Sequence, residues 1–402
     1  MAPTTENTHV FVPAWVWGPA GRDTELARAI SDLTTGGFLG STRDLLASVR
    51  RQDDRRAYCT SVLAAVLVSR RLDSAALWLT DEPGDPDALM LHARVLVVRA
   101  IHAARGMESH AQALAAHAAR ACQKAMLAAV GDPTPPVALL HLGETGLDLP
   151  GLRFNARTLD DLPINAPWNL LDEVLKRAPD HREAFHRLIP LCHVFSDTAP
   201  WRPDGPTPEQ RQAANARARA QVAVWAADRA PAGSPLKLLR LWYAAERDPF
   251  SDKAEEMRLR NHLHVHGEAS RERYLNDRVP AIEQRWRHAL QATAVKLADR
   301  WFGGGGDPPY MPLSDISFLA NYLYRCGELR TARLALEWMV PYATAQPWQR
   351  EGDPGTVLAT VCRQCHVNLA YLPRWPTHTP GPPRSGHCST RRLPRCPYPC
   401  CR

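Results

Sequence analysis

An all-α fold is predicted for this chain of 402 residues, a degenerate array of antiparallel helical hairpins of the α-solenoid kind. Three observations predict it. Apolar residues recur at i, i+3, i+4 and i+7 in stretch after stretch, the period of a single helix face. No alternation of apolar and polar residues runs long enough to read as a strand. A proline-centred junction also recurs. Pro83-Gly84-Asp85-Pro86-Asp87-Ala88-Leu89 resembles Pro179-Asp180-His181-Arg182-Glu183-Ala184-Phe185, and more faintly Pro231-Ala232-Gly233-Ser234-Pro235-Leu236. Proline has no N–H to give a helix interior, so each junction closes one helix and a new apolar stripe opens after it. The junctions are unequally spaced, which makes the array degenerate.

In chain order, residues 1–21 read as an irregular lead-in, with Val12, Trp15 and Trp17 lying across the first helices rather than in a strand. Residues 22–130 read as helical hairpins built from Thr24–Leu33, Thr42–Val49, Arg55–Arg70, a helix capped by Asp73, Pro86–Gly106 and His110–Val130. The last of these is nearly all Ala, Leu, Gln, Lys and Met, which are strong helix formers. Residues 131–167 carry Pro133, Pro135, Pro136, Pro150, Pro163 and Pro167 and read as a proline-rich loop. A loop of that length is functional or disordered. Hairpins resume over 168–302, in Asn169–Arg177, Arg182–Phe195, Pro208–Arg229, Pro235–Arg247, Ser251–His266 and Val279–Trp301. A Gly/Pro linker, 303–312, then leads to a last hairpin at 313–350.

That hairpin is the clearest unit in the chain. Ile316, Leu319, Ala320 and Leu323 form one stripe, Gly327 supplies the left-handed residue of the turn, and Ala332, Leu336 and Met339 mark the inner face of a second helix. Such a pair cannot bury its stripe alone and needs neighbours to stack on. Ala320 with Leu323, the Gly327-Glu328 turn, and Ala332 with Leu336 resemble a tetratricopeptide-type hairpin. Ile316 departs from it, an aromatic residue being usual there, and so does the lack of a closing proline four or five residues after Met339. More broadly, the chain to about Trp348 is similar to actinobacterial proteins of tetratricopeptide-like build. The resemblance implies that the first helix lines a concave groove, with Ser314, Ser317, Asn321, Tyr324 and Arg325 facing a partner. The lysine of carboxylate-clamp members is missing, so capture of a terminal carboxylate is not implied.

The net charge of +7 invites a nucleic-acid reading, and its distribution argues against one. Seven of the 49 Lys and Arg residues lie beyond Pro354, which leaves 42 against 42 acidic residues. A neutral body offers no electrostatic footprint for nucleic acid or an anionic membrane. Cys59, Cys122, Cys192 and Cys326 are far apart and read as reduced, buried thiols, the N-terminus lacks a signal-peptide pattern, and apolar runs such as Val62–Val68 are short of a membrane span. A cytoplasmic body is expected.

Chemistry-bearing motifs are few. Cys362-Arg363-Gln364-Cys365-His366 has the spacing of c-type haem attachment, and Cys388, Cys396, Cys400, His378 and His387 would extend a zinc set. Beyond Asp353, however, composition shifts to Pro, Arg, Cys, Thr and His without acids, as a gene read in a shifted frame would give. Residues 354–402 therefore read as a disordered tail, with Cys362, Cys365 and His366 as weak metal candidates. His262, His264 and His266 place two imidazoles at i, i+4, and His181, His186 and His193 cluster beside Phe185 and Phe195. Both groups read more simply as solvated or core-edge histidines. Gly303–Gly306 lacks the Gly-Lys-Ser/Thr of a phosphate loop.

The sequence thus points to a non-catalytic helical-repeat protein that binds a protein or peptide, with Ser317, Asn321, Tyr324 and Arg325 as partner-binding residues. No cofactor, nucleic acid or membrane is expected. The alternative is an enzyme whose site is assembled from scattered residues near 131–167, or a tail metal site at the Cys-x-x-Cys-His motif.

Overall fold

The computed structural model describes residues 15–195, 205–247, 288–303 and 309–369. These form two units, one drawn from 25–290 and a smaller one from 15–24 together with 291–369. The architecture is mostly helical, as the periodicity predicts.

The larger unit runs through α1 (Thr24–Gly36), α2 (Gly40–Ser48), α3 (Asp53–Ser69), α4 (Ser74–Asp81), α5 (Pro86–Arg105), α6 (Ala111–Ala128) and α7 (Thr134–Leu142). A β-hairpin follows, β2 (Asn155–Leu159) against β3 (Leu162–Ala166), then α8 (Trp168–Leu175), α9 (Arg182–Leu188), α10 (Pro208–Arg229) and α11 (Leu238–Arg247). Helix α5 lies at the centre and packs on α3, α4, α6 and α7. The inner face of α6 is Ala111, Ala115, Ala118, Ala119, Cys122 and Ala125, all small, and this lets the α5 and α6 axes approach closely.

Both strong junctions start helices. Asp85 accepts from the N–H groups of Asp87 and Ala88, with Pro86 at the first helical position, where no N–H is needed. His181, at the equivalent place in the second junction, accepts from the Ala184 N–H through Nδ1 at 3.3 Å. Asp73 precedes α4 but makes no cap bond; its carboxylate pairs instead with Arg99 at 2.8 Å.

Two expectations for this unit need correction. Residues 131–167 are not a loop. Pro135 and Pro136 sit in the first turn of α7, where a missing N–H costs nothing, and Thr134–Leu142 is buried throughout. Pro163 sits in β3, the last strand of a two-stranded hairpin, and Asp160-Asp161 makes the turn with positive φ at both residues. Strands are therefore present, though short. Trp168 closes the hairpin onto the core: it is fully buried, donates to the Ile164 carbonyl at 2.9 Å, and meets Trp225 edge-on.

In the smaller unit, α12 (Leu313–Arg325) and α13 (Leu329–Met339) form the expected hairpin, turning at Gly327 with φ +81°. Ile316, Leu319, Ala320, Leu323, Ala332, Leu336 and Met339 are all fully buried. Trp301 is buried as well, and Phe302 stacks toward Trp338. The lead-in departs from expectation, because β1 (Val16–Trp17) pairs in parallel with β4 (Tyr342–Ala343), and Trp15 donates to the Gly355 carbonyl. The tail reading is also corrected over its first part. Asp353 caps α14 (Pro354–Gln364) and accepts from the Thr356 N–H, and Leu358, Ala359, Val361 and Cys362 are buried. These apolar residues recur at helical spacing inside a composition that otherwise reads as tail.

Candidate functional site

The functional-site signal lies in the larger unit, where five elements bring charged side chains into its core. From α3, Arg56 donates to Asp87 at 2.6 Å, to Asp132 at 2.7 Å and to the Leu46 carbonyl. Arg50 adds a second donor to Asp87. On α9, Glu183 and Arg187 pair at 2.7 Å across one turn, and Arg187 reaches Glu144 at 3.0 Å. Glu144 also takes Arg105 of α5 at 3.2 Å. Asp132 accepts from the Thr134 N–H at the start of α7. Burial works against ionisation of Glu183, but Arg187, Arg94 and Arg182 overcome it and hold this carboxyl well below the usual range.

Arg94 is different. It lies mid-way along α5, is fully buried, and none of its three guanidinium nitrogens has a hydrogen-bond partner among the described residues. Burial draws the guanidinium down to about 10, partly offset by the charge of Glu183, so it stays cationic at neutral pH. A buried cation without an acceptor is costly, and the cost is removed by supplying one.

Two histidines carry the same signature. The Nε2 of His181 and the Nδ1 of His141 are buried without partners among the described residues. Because His181 Nδ1 accepts from Ala184, its proton in the neutral ring sits on Nε2, a donor with nothing to meet. Burial pushes His181 down to about 4 and His141 well below its ordinary value, so both are neutral at pH 7. Arg94 acts electrostatically on both rings. Thr134 Oγ1 is a further buried group without a partner. The arrangement supplies donors and one uncompensated positive charge, which is the chemistry of anion binding.

The expected site residues fare unevenly. Ser317 is fully buried, donates to the Gln346 carbonyl and accepts the Trp348 indole N–H at 2.7 Å. Asn321 is buried too. Both lie on the arc that the helix turns inward, which is wider than the apolar stripe alone marks. Tyr324 is half-buried and donates to Gln364, and Arg325 is exposed. Cys362 and Cys365 are both buried, and burial pushes both thiols up. Among the described residues no group of three or more His, Cys, Asp or Glu is placed to hold a metal ion. His262, His264, His266, His378, His387, Cys388, Cys396 and Cys400 lie outside the described residues. No helix among the described residues is long and apolar enough to cross a membrane.

Sequence reasoning passed over Arg94, although a signal was present: one arginine stands inside LMLHARVLVV, a run apolar but for it and His92. Comparison with protein-family models, curated proteins and solved structures found no match.

Proposed function

We propose that the chain is a helical-hairpin binding protein and that its larger unit takes a small anion against Arg94. The observation that carries this reading is a fully buried guanidinium with no acceptor among the described residues, accompanied by the unpartnered Nε2 of His181. The stretch 131–167, expected to shelter a site of scattered residues, contributes Asp132, Thr134, His141 and Glu144 to the same cluster. A tetratricopeptide-like groove for a peptide on the 313–350 hairpin has less support, since Ser317 and Asn321 are buried in the smaller unit. The free thiols Cys59, Cys122 and Cys192 agree with a reducing compartment such as the cytoplasm.

Thermal denaturation with added anions tests the proposal. Protein exchanged into a zwitterionic buffer is titrated with formate, acetate and phosphate at matched ionic strength. A ligand that binds only the native state stabilises it by about 2.7 kcal/mol at a hundred times its Kd. The melting temperature is expected to rise saturably in the native protein and to lose that response in Arg94→Met. Equal responses in both proteins would refute the reading.

A further inference from the structure

Arg94 is the buried cation of this network whose guanidinium meets no carboxylate among the described residues. Asp87 has Arg50 and Arg56, Asp132 has Arg56, Glu144 has Arg105 and Arg187, and Glu183 has Arg187 and, at 3.7 Å, Arg182. The Arg94 guanidinium therefore lacks one negative partner. A second would stand close to Glu183 and Asp132, whose charges already act on Arg94, in surroundings where repulsion is weakly screened.

The neighbouring side chains on α5 are apolar. Met90 and Val97 lie one turn to either side of Arg94 on α5, and both are buried. Cys122 of α6 is fully buried, close enough to Arg94 for the guanidinium to oppose the shift, and burial still pushes its thiol up to about 12, so it adds no charge. The donors are of two kinds. The guanidinium fork matches the two oxygens of a planar carboxylate, and the neutral Nε2–H of His181 donates without changing the charge balance.

We infer that the anion held by Arg94 is the carboxylate of a small aliphatic monocarboxylic acid, with the chain of that acid against Met90, Val97 and Cys122. This rests on the anion-binding reading above. The carboxylate supplies the partner that the guanidinium lacks, and its methylenes replace water contact with apolar contact.

Isothermal titration of the full chain in a zwitterionic buffer tests the class, with acetate, butyrate and hexanoate set against phosphate and sulfate at matched ionic strength. One-to-one carboxylate binding is expected, tightening about three- to fourfold for each added methylene. Phosphate and sulfate should bind more weakly than butyrate. Arg94→Lys keeps the charge but loses the fork, and should weaken butyrate about tenfold. Should that variant not fold, Cys122→Leu, which adds bulk near Arg94, should weaken hexanoate more than acetate. Phosphate or sulfate binding as tightly as butyrate and failing in Arg94→Lys would overturn the monocarboxylate class while leaving an anion site. Binding by none of the anions, or identical binding in Arg94→Lys, would overturn both.

Discussion

His181 Nδ1 lies 3.5 Å from Asp54 Oδ1, and the two groups titrate in opposite senses. Burial drives His181 down to about 4 and Asp54 up to about 7. Between about 4 and 6.5 the unfolded chain binds a proton at His181 that the native state does not. The stability from its neutral form is complete above 6.5 and is lost as pH falls through that window. Asp54 runs the other way: its stability is present below its unfolded value of 3.8 and lost as pH rises toward 7. His92, His141 and His186 are also held below their ordinary values by burial, so four histidines stand against the two aspartates, Asp53 and Asp54, that burial raises.

Acidification from pH 7.5 to 5 should therefore lower the urea midpoint. His181→Asn keeps a side-chain acceptor for the Ala184 N–H and removes one titrating group. It should flatten the slope by up to about 1.4 kcal/mol per pH unit within the window. A slope unchanged in His181→Asn would show that the ring is not held neutral.

Arg56 joins α2, α3, α5 and the turn before α7 through Leu46, Asp87 and Asp132. Arg56→Met should destabilise by about 3–5 kcal/mol, because it leaves two buried carboxylates short of their partner. Arg56→Lys should recover only part of the loss, since a single ammonium cannot reproduce the fork. Full rescue by lysine in denaturant melts would argue that charge alone matters there.

Ser317→Ala should lower the stability of the smaller unit by about 1–3 kcal/mol, since the indole N–H of buried Trp348 loses its acceptor, while the Gln346 carbonyl keeps the Thr344 hydroxyl. Tryptophan fluorescence during unfolding reads this directly. No change in midpoint would return Ser317 to the set of surface residues.

Truncation after Asp353 should destabilise the smaller unit, because α14 buries Leu358, Ala359, Val361 and Cys362 and carries the Gly355 carbonyl that accepts from Trp15. A chain ending at Asp353 that melts at the midpoint of the full chain would restore the reading of this segment as tail.

Most of the helices were legible because their apolar stripes and proline junctions are local signals. The paired junctions share more than a helix start. Asp85 and His181 fall at equivalent places and both cap helices, and two residues on, Asp87 and Glu183 are both buried acids held by arginines. What misled was composition. Prolines in 131–167 signalled breaks, yet at Pro135 and Pro136 they occupy a helix start, and the Pro-rich shift after Asp353 hid the stripe of α14. The cluster around Arg94 was illegible as a site because its members come from five separated elements and meet only in the fold.

Arg94 tests the account most directly. Arg94→Met replaces an uncompensated buried charge by an apolar side chain of similar length, and urea denaturation in an anion-poor zwitterionic buffer compares the two proteins. If the guanidinium awaits a ligand, the variant should be more stable than the native protein by about 1–3 kcal/mol without anion, and the difference should shrink as a binding anion is added. A variant less stable by about 3 kcal/mol or more without anion would mean that Arg94 already has its partners within the chain, which contradicts the account.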